Sequence, residues 1–336
     1  MRILSGVQPS GRLHLGNYFG AIRQFVQLQN EGEALYFIAN LHSLTTVQNP
    51  DRLREFTLDA ALTYLAFGVD PKRAILFRQS DVPEHSELFW ILGSLVPLSH
   101  LERAHSYKDK VAQGIRADFG LFAYPILMAA DILLYDTDLV PVGKDQKQHV
   151  EFARDWAIKF NQTFGEKYDP ADPNGEKSGR PGLLRVPEPR IESETATILG
   201  ADGRKMSKSY DNTIELFAPD NVLKKTIMGI KTDSTSVEDP KPTEGNALHS
   251  LLEVLASPSD FAEIDRSWRA GGSGYGVYKL RLLELFHATF DGARERRREL
   301  EKDPAAVEAI LLDGAMRARA IAAPLVDRVK RATGLK

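Results

Sequence analysis

Four short segments hold the residues best suited to chemistry. In Gln8-Pro9-Ser10-Gly11-Arg12-Leu13-His14-Leu15-Gly16-Asn17, Gly11 and Gly16 let a backbone approach a ligand closely. His14 and Asn17 are donors suited to phosphate oxygens. The segment follows a strand pattern and opens a helical one, and a helix N-terminus with its free N–H groups favours anions. Taken alone, it reads equally as a plain strand–turn–helix connection. In Lys205-Met206-Ser207-Lys208-Ser209, two lysines flanked by hydroxyls could clamp a polyphosphate. On its own, such a loop reads first as solvated surface. Val140-Pro141-Val142-Gly143-Lys144-Asp145-Gln146-Lys147-Gln148-His149 ends a strand and begins a helix. Gly143 would let the backbone meet a ribose while Asp145 accepts from a ribose hydroxyl; Asp145 serves equally well as a helix N-cap. In Leu127-Met128-Ala129-Ala130-Asp131 an acid interrupts an apolar run. Carboxylates are rarely buried unpaired. Asp131 therefore reaches solvent, pairs with a cation or receives a ligand donor.

Other chemistries are excluded. The chain has no G-x-G-x-x-G, no G-x-x-x-x-G-K-[ST] and no H-E-x-x-H. Its histidines do not pair at metal-ligand spacing, so no protein-held metal is expected. Cysteine is absent, which removes disulfides, thiolate-held zinc, iron–sulfur clusters and thiol nucleophiles. That usage fits a reducing cytoplasm.

The elements that must position these residues follow from apolar patterning. Arg2–Val7, Ala34–Ala39, Ala74–Phe77 and Asp138–Val142 read as strands, separated by helix-length segments. Helices are expected from Gly16 to Asn30, from Asn49 (a cap before Pro50) to Gly68, and from Asp145 to Phe164. Glu84–Tyr135 reads as largely helical, broken near Pro97 and Gly120. This alternation predicts an α/β fold with a Rossmann-like parallel sheet. Between Asp169 and Arg190 stand five prolines and three glycines, too many breakers for regular structure. Later signals are helical: Pro219–Met228, Ala247–Ala256, Gly276–Lys302 and Pro304–Ala332. The expected division is a catalytic domain over residues 1–200, with 169–190 a loop or insertion, and a helical domain over 201–336.

The chain of 336 residues carries a net charge of −3 and 43% apolar residues, ordinary for a folded chain. Residues 279–336 hold thirteen Lys/Arg against nine Asp/Glu. A basic tail is weak evidence for a polyanionic partner; solvated amphipathic helices account for it better. The amino terminus turns polar too early for a signal peptide. The longest uncharged runs, such as Leu88 to Leu101, fall short of the ~20 residues of a spanning helix.

Taken in this order, His-Leu-Gly-Asn at 14–17, Gly-Lys-Asp-Gln at 143–146 and Lys-Met-Ser-Lys-Ser at 205–209 resemble the signatures of class I aminoacyl-tRNA synthetases. Asn17, where that class usually has a second histidine, is similar to the tryptophanyl-tRNA synthetase branch. Leu101-Glu102-Arg103, residues 128–135, residues 138–143 and Gly274-Tyr275-Gly276-Val277-Tyr278-Lys279 are similar to its bacterial members. The resemblance runs from Ile3 to the C-terminal helices.

The resemblance implies activation of L-tryptophan by ATP, with Mg²⁺ as the ATP counter-ion, and transfer to tRNA(Trp) by a cytoplasmic homodimer. A further protein partner leaves no mark in the sequence. By the resemblance, His14, Lys205 and Lys208 are catalytic. Gln8, Pro9, Ser10, Gly16, Asn17, Gly143, Lys144, Asp145, Thr197, Met206, Ser207 and Ser209 join the lysines at ATP. Asp131 accepts the indole N–H, while Tyr124, Met128, Gln146, His42, Val140 and Val142 shape the tryptophan pocket. On this reading Asp131→Ala keeps the fold and loses tryptophan selection. The stretch 172–179 looks inserted relative to the family, and 195–199 lack its usual basic residue and Met-Ser. The alternatives are a tyrosyl-tRNA synthetase and an adaptor or regulator that kept the fold. The basic run Arg294, Arg296, Arg297 and Arg298 reads as an exposed face paired with Glu295, Glu299 and Glu301 rather than an anticodon contact.

Overall fold

A computed structural model describes residues 1–104, 107, 118–143, 146–191 and 198–336. Five parallel strands form one sheet: β1 (Arg2–Val7), β2 (Glu33–Ile38), β3 (Ala74–Arg78), β4 (Leu139–Val142) and β5 (Glu188–Ile191). Their order is β3-β2-β1-β4-β5. The order reverses between β1 and β4, and in such sheets the crevice beyond the carboxyl ends at the reversal binds ligands. Val7 and Val142 are the last residues of those two strands, so the turns that follow them face that crevice.

Leu15–Asn17, Tyr18–Ile22 and Arg23–Leu28 run on as one helical element, α1, whose middle turn is widened. Then come α2 (Asn40–Ser43), α3 (Pro50–Ala66), α4 (Glu84–Gly93), α5 (Leu98–Glu102), α6 (Phe119–Leu133) and α7 (Lys147–Phe164). The remaining chain adds α8 (Asp220–Met228), α9 (Ala247–Leu255), α10 (Pro258–Ala270), α11 (Tyr275–Leu300) and α12 (Pro304–Thr333). Asn49 caps α3 as expected, accepting from the N–H groups of Asp51 and Arg52.

Side chains of a strand alternate between faces. Ala34, Tyr36 and Ile38 of β2 enter one apolar core; Leu35 and Phe37, with Ala39 just beyond the strand, enter the other. The first core is completed by α1, α3 and residues between 198 and 311; the second by α4, α6, α7 and the last half of α12.

Helix α12 lies along β3, the sheet edge, and contributes Leu311 to one core and Ala318 and Val329 to the other. It therefore covers an edge that would otherwise offer unpaired backbone groups. Gly314 makes this possible: a Cβ there would lie 1.9 Å from the carbonyl oxygen of Leu76. Gly314→Ala must push helix and strand apart. The expected cost is about 1–3 kcal/mol, the usual range for overpacking, read from the midpoint of urea unfolding. An unchanged midpoint would show that the contact yields freely.

Two expectations are corrected and one is refined. Residues 169–190 are not wholly irregular, because β5 begins at Glu188 and includes Pro189. A proline that cannot donate is tolerated on an edge strand, and β5 is an edge. The expected break near Gly120 falls at extended Asp118, which caps the N–H of Leu121 at the start of α6. Helix α10, started by Ser257 and Pro258, was not expected at all.

The basic run of α11 is also reassigned. Arg297 is largely buried, bonding Asp59 at 2.7 Å and Thr63 at 3.2 Å on α3. Arg294 reaches the carbonyls of Leu216 and Ala218, and Arg296 that of Ala66. These arginines fasten α11 to the sheet's helices; Arg297 meets Glu301 as expected. Farther along, Arg319 pairs with Glu84, Lys330 with Glu87 and Arg328 with Asp136, while Arg78 binds Glu308. Four cations of the basic tail, Arg297 among them, thus pair with carboxylates of the first half of the chain.

Candidate active site

The turn after β1 is built around Gly11, whose φ of +137° suits glycine alone. The Lys208 ammonium donates to the Gly11 carbonyl at 2.8 Å. The lysine loop therefore lies directly over the turn, although 197 residues separate the two. Burial lowers the Lys208 pKa, opposed by the charges of Asp59 and Glu215. Lys205 differs from its neighbour: its side chain is exposed. Met206 is buried in the first core, beside Gly16, so a contact with adenine would fall to its backbone.

Asn212 fixes the shape of the loop. Its side chain accepts from the N–H of Ser207 at 2.8 Å and donates to Asp202 at 2.7 Å and to the Lys205 carbonyl at 3.2 Å. His14 caps α1, and Asn17 turns back to accept from the His14 N–H at 3.0 Å. Burial and the nearby Lys208 charge lower the His14 pKa to about 4. The imidazole is therefore neutral at physiological pH and can act as a hydrogen-bond donor without carrying charge. Ser10 is exposed and Pro9 buried, its carbonyl accepting from Ser43 at 3.2 Å.

Helix α6 presents Tyr124, Met128 and Asp131 at i, i+4 and i+7, one face of a helix. Asp131 is 1% exposed. It is not an orphan: Oδ2 accepts from His42 Nε2 at 2.8 Å, and Oδ1 from Gln79 Nε2 and His85 Nδ1, each at 2.7 Å. Burial alone would raise its pKa; the His85 and His42 rings outweigh that and hold it at about 2. Asp131→Ala would strand these donors in the interior, so the expectation that it keeps the fold intact is corrected: the variant should be destabilised.

The turn and the carboxylate are joined. Gln8 Nε2 donates to the His42 carbonyl at 3.2 Å, and the His42 ring holds Asp131. Tyr124 stands edge-on to His42 at 6.2 Å and meets His149 at 3.3 Å. Val140 is buried on β4, Val142 packs partly against the second core, and Gln146 caps α7. Gly143 accepts from the Gln146 N–H at 3.0 Å. Lys144, Asp145 and Thr197 lie outside the described residues, as does the side chain of Ser209.

Sequence reasoning missed Gln79, His85 and Tyr135. Gln79 follows the carboxyl end of β3, and both Gln79 and His85 are polar residues fully buried in apolar surroundings. Two polar residues just past an apolar strand were the available signal.

The family described as "tRNA synthetases class I (W and Y)" matches residues 1–265. The tryptophan–tRNA ligase of Rhodopirellula baltica is 48% identical over 336 residues, all of both chains. That of Campylobacter jejuni is 46% identical over 335 residues, again all of both. The chain belongs to the tryptophan–tRNA ligase family of class I aminoacyl-tRNA synthetases. The crystal structure of the Campylobacter jejuni tryptophanyl-tRNA synthetase complexed with ADP and tryptophan superposes with a TM-score of 0.89, covering 99% of this chain and 100% of that one. The tyrosyl-tRNA synthetase of Archaeoglobus fulgidus shares the fold at 18% identity and a TM-score of 0.60.

Proposed function

We propose that this enzyme activates L-tryptophan with ATP and transfers it to tRNA(Trp). The observation that carries this reading is the continuous chain Gln8–His42–Asp131, which links the turn under Lys208 to a buried, ionised acceptor. An ionised carboxylate has about four acceptor sites. Among the described residues three donors reach Asp131, which leaves one for an indole N–H.

In the first step a tryptophan carboxylate oxygen attacks the α-phosphorus of ATP. The new P–O bond forms as the bond to pyrophosphate breaks, and pyrophosphate leaves as an anion. The nucleophile is already charged, so no side chain need abstract a proton. The protein contributes position and electrostatic stabilisation. Lys208 and neutral His14 stand where phosphate charge would develop, and exposed Lys205 joins as the loop closes on the nucleotide. In the second step a hydroxyl of the terminal ribose attacks the activated carbonyl; the new ester C–O bond forms as the bond to the phosphate breaks, the hydroxyl proton passes to the departing phosphate, and AMP leaves. Among the described residues no group of three or more His, Asp and Glu could hold a metal. On this reading Mg²⁺ enters as part of the ATP substrate, held by phosphates and water.

Residues 1–200 form the catalytic part on this reading and 201–336 the lysine loop and tRNA-binding helices. A homodimer is supported by Trp90, Leu98 and Phe119, exposed apolar side chains on α4, α5 and α6, whose helices pack together. Sedimentation should return twice the mass of the chain, and Trp90→Glu should halve it. No helix among the described residues is long and apolar enough to cross a membrane. On this reading the enzyme acts in the cytoplasm. The decisive test is amino-acid-dependent pyrophosphate exchange with a panel of amino acids, then charging of total tRNA. Exchange with tryptophan alone is expected; exchange with tyrosine, or none, would overturn the reading.

A further inference from the structure

Behind Asp131 lies a second layer of polar groups that the two reaction steps do not use. His85 is completely buried and stands between two partners. Its Nδ1 is 2.7 Å from Asp131 Oδ1, and its Nε2 is 2.7 Å from the Tyr135 hydroxyl. Tyr135 is also completely buried, one turn beyond Asp131. Phe37 and Phe77 pack against the imidazole at 6.0 and 6.2 Å, and Tyr135 meets it edge-on at 5.5 Å. Rotation of the ring would break both hydrogen bonds.

The partners dictate the proton positions. An ionised carboxylate only accepts, so Nδ1 must carry the hydrogen that reaches Asp131. Nε2 then faces the Tyr135 hydroxyl, which can donate to it or accept from it. Tyr135 thus holds the far nitrogen and fixes the ring with its Nδ1–H on the carboxylate, as the outer partner of a metal-binding histidine orients its ring. Gln79 gives a second fixed donor to the same oxygen at 2.7 Å. With Oδ1 doubly occupied, Oδ2 is the oxygen turned toward His42, which is partly exposed and belongs to the site wall.

We propose that Tyr135 and His85 are positioning residues for amino-acid selection. They clamp Oδ1 of Asp131 so that Oδ2 is presented, ionised and at a fixed angle, to an indole N–H. The inference rests on the reading of Asp131 as the indole acceptor. It adds that the acceptor's precision is set from behind, by residues that never touch the ligand.

The test compares tryptophan with its analogue in which sulfur replaces the indole N–H, in pyrophosphate exchange by the full-length enzyme. The wild type should prefer tryptophan strongly; if it does not, the reading of Asp131 fails, and this inference with it. Given that preference, Tyr135→Phe and His85→Leu should reduce the ratio of kcat/KM values by about 10–100-fold, the range known for outer partners of metal ligands. The loss should fall on tryptophan, leaving the analogue's constants nearly unchanged, and should appear in KM for tryptophan while KM for ATP stays the same. His85→Asn, whose amide N–H can occupy the place of Nδ1–H, should recover most of the ratio. A merely structural role predicts equal losses for both amino acids and for ATP, and no advantage of asparagine over leucine. Should His85→Leu fail to fold, the isosteric Tyr135→Phe decides alone. A wild-type ratio in a folded Tyr135→Phe enzyme would overturn the inference.

Discussion

Asp131→Asn should leave a folded enzyme that has lost most of its preference for tryptophan over phenylalanine. The amide keeps the shape of the carboxylate, so the packing of α6 survives. It replaces one pair of acceptor sites with a donor, however, and three donors already converge on this group at 2.7–2.8 Å. The amide N–H₂ must face either His42 or the Gln79–His85 pair. Whichever way it turns, the indole N–H loses an ionised acceptor or a neighbour is left unpaired. Sites built around a buried polar group reject analogues lacking the partner by ~10⁴–10⁵. A fall of at least about 100-fold in the ratio of kcat/KM values is therefore expected. The ratio is read from pyrophosphate exchange with each amino acid, with the unfolding midpoint as a control. An unchanged ratio would remove Asp131 from the specificity mechanism. Asp131→Ala is the poorer probe, since it confounds selection with the instability of stranded donors.

Lys208→Ala should reduce the rate of adenylate formation by about 10²–10³, as removal of a single charge-stabilising donor does elsewhere. The reason lies in where the ammonium sits. It is held at 2.8 Å over the Gly11 carbonyl, half-buried, at the N-terminal side of α1, where phosphates would collect. Its contact with a backbone oxygen is exchangeable for stronger contacts to an incoming polyphosphate, because an anionic oxygen adds a charge–charge attraction that a neutral carbonyl lacks. Tryptophan binding, measured by equilibrium titration without ATP, should change less than about threefold, since that pocket is organised by Asp131 and not by the loop. Equal losses in rate and in tryptophan affinity would make Lys208 a structural lysine. Lys205→Ala offers a useful contrast. Its exposed side chain makes it dispensable for the resting loop, so any loss it causes must arise after nucleotide binds.

Four of the five strands and most helices were legible because burial on both faces of a parallel sheet demands continuous apolar runs. The signature segments were legible because glycines, lysines and a capping asparagine advertise turns and helix starts. Pro189 misled because a breaker forbids a central strand but not an edge one, and edges are defined only by neighbours. Arg294 and Arg297 misled for a similar reason. Their charge suggests solvent, while the fold supplies Asp59 and the carbonyls of 216 and 218 as buried partners. Gln79, His85 and Tyr135 were invisible as a group: 52, 46 and 4 positions separate them from Asp131, and no local pattern relates them.

By itself the sequence determined the class of chemistry. It placed glycine-bearing turns at the ends of β1 and β4, expected to meet phosphate and ribose, put two lysines in a loop and an acid in an apolar helix, and withheld every nucleophilic thiol. Those are properties of residue type and local order, which short-range sterics and hydrogen bonding settle. Tertiary structure decided which of these residues act together. Only folding sets Lys208 on Gly11, links Gln8 to Asp131 through His42, and closes a shell of histidine, glutamine and tyrosine around one carboxylate. A buried charge is tolerable only when its partners are brought from distant segments at once, and that is a property of the packed chain.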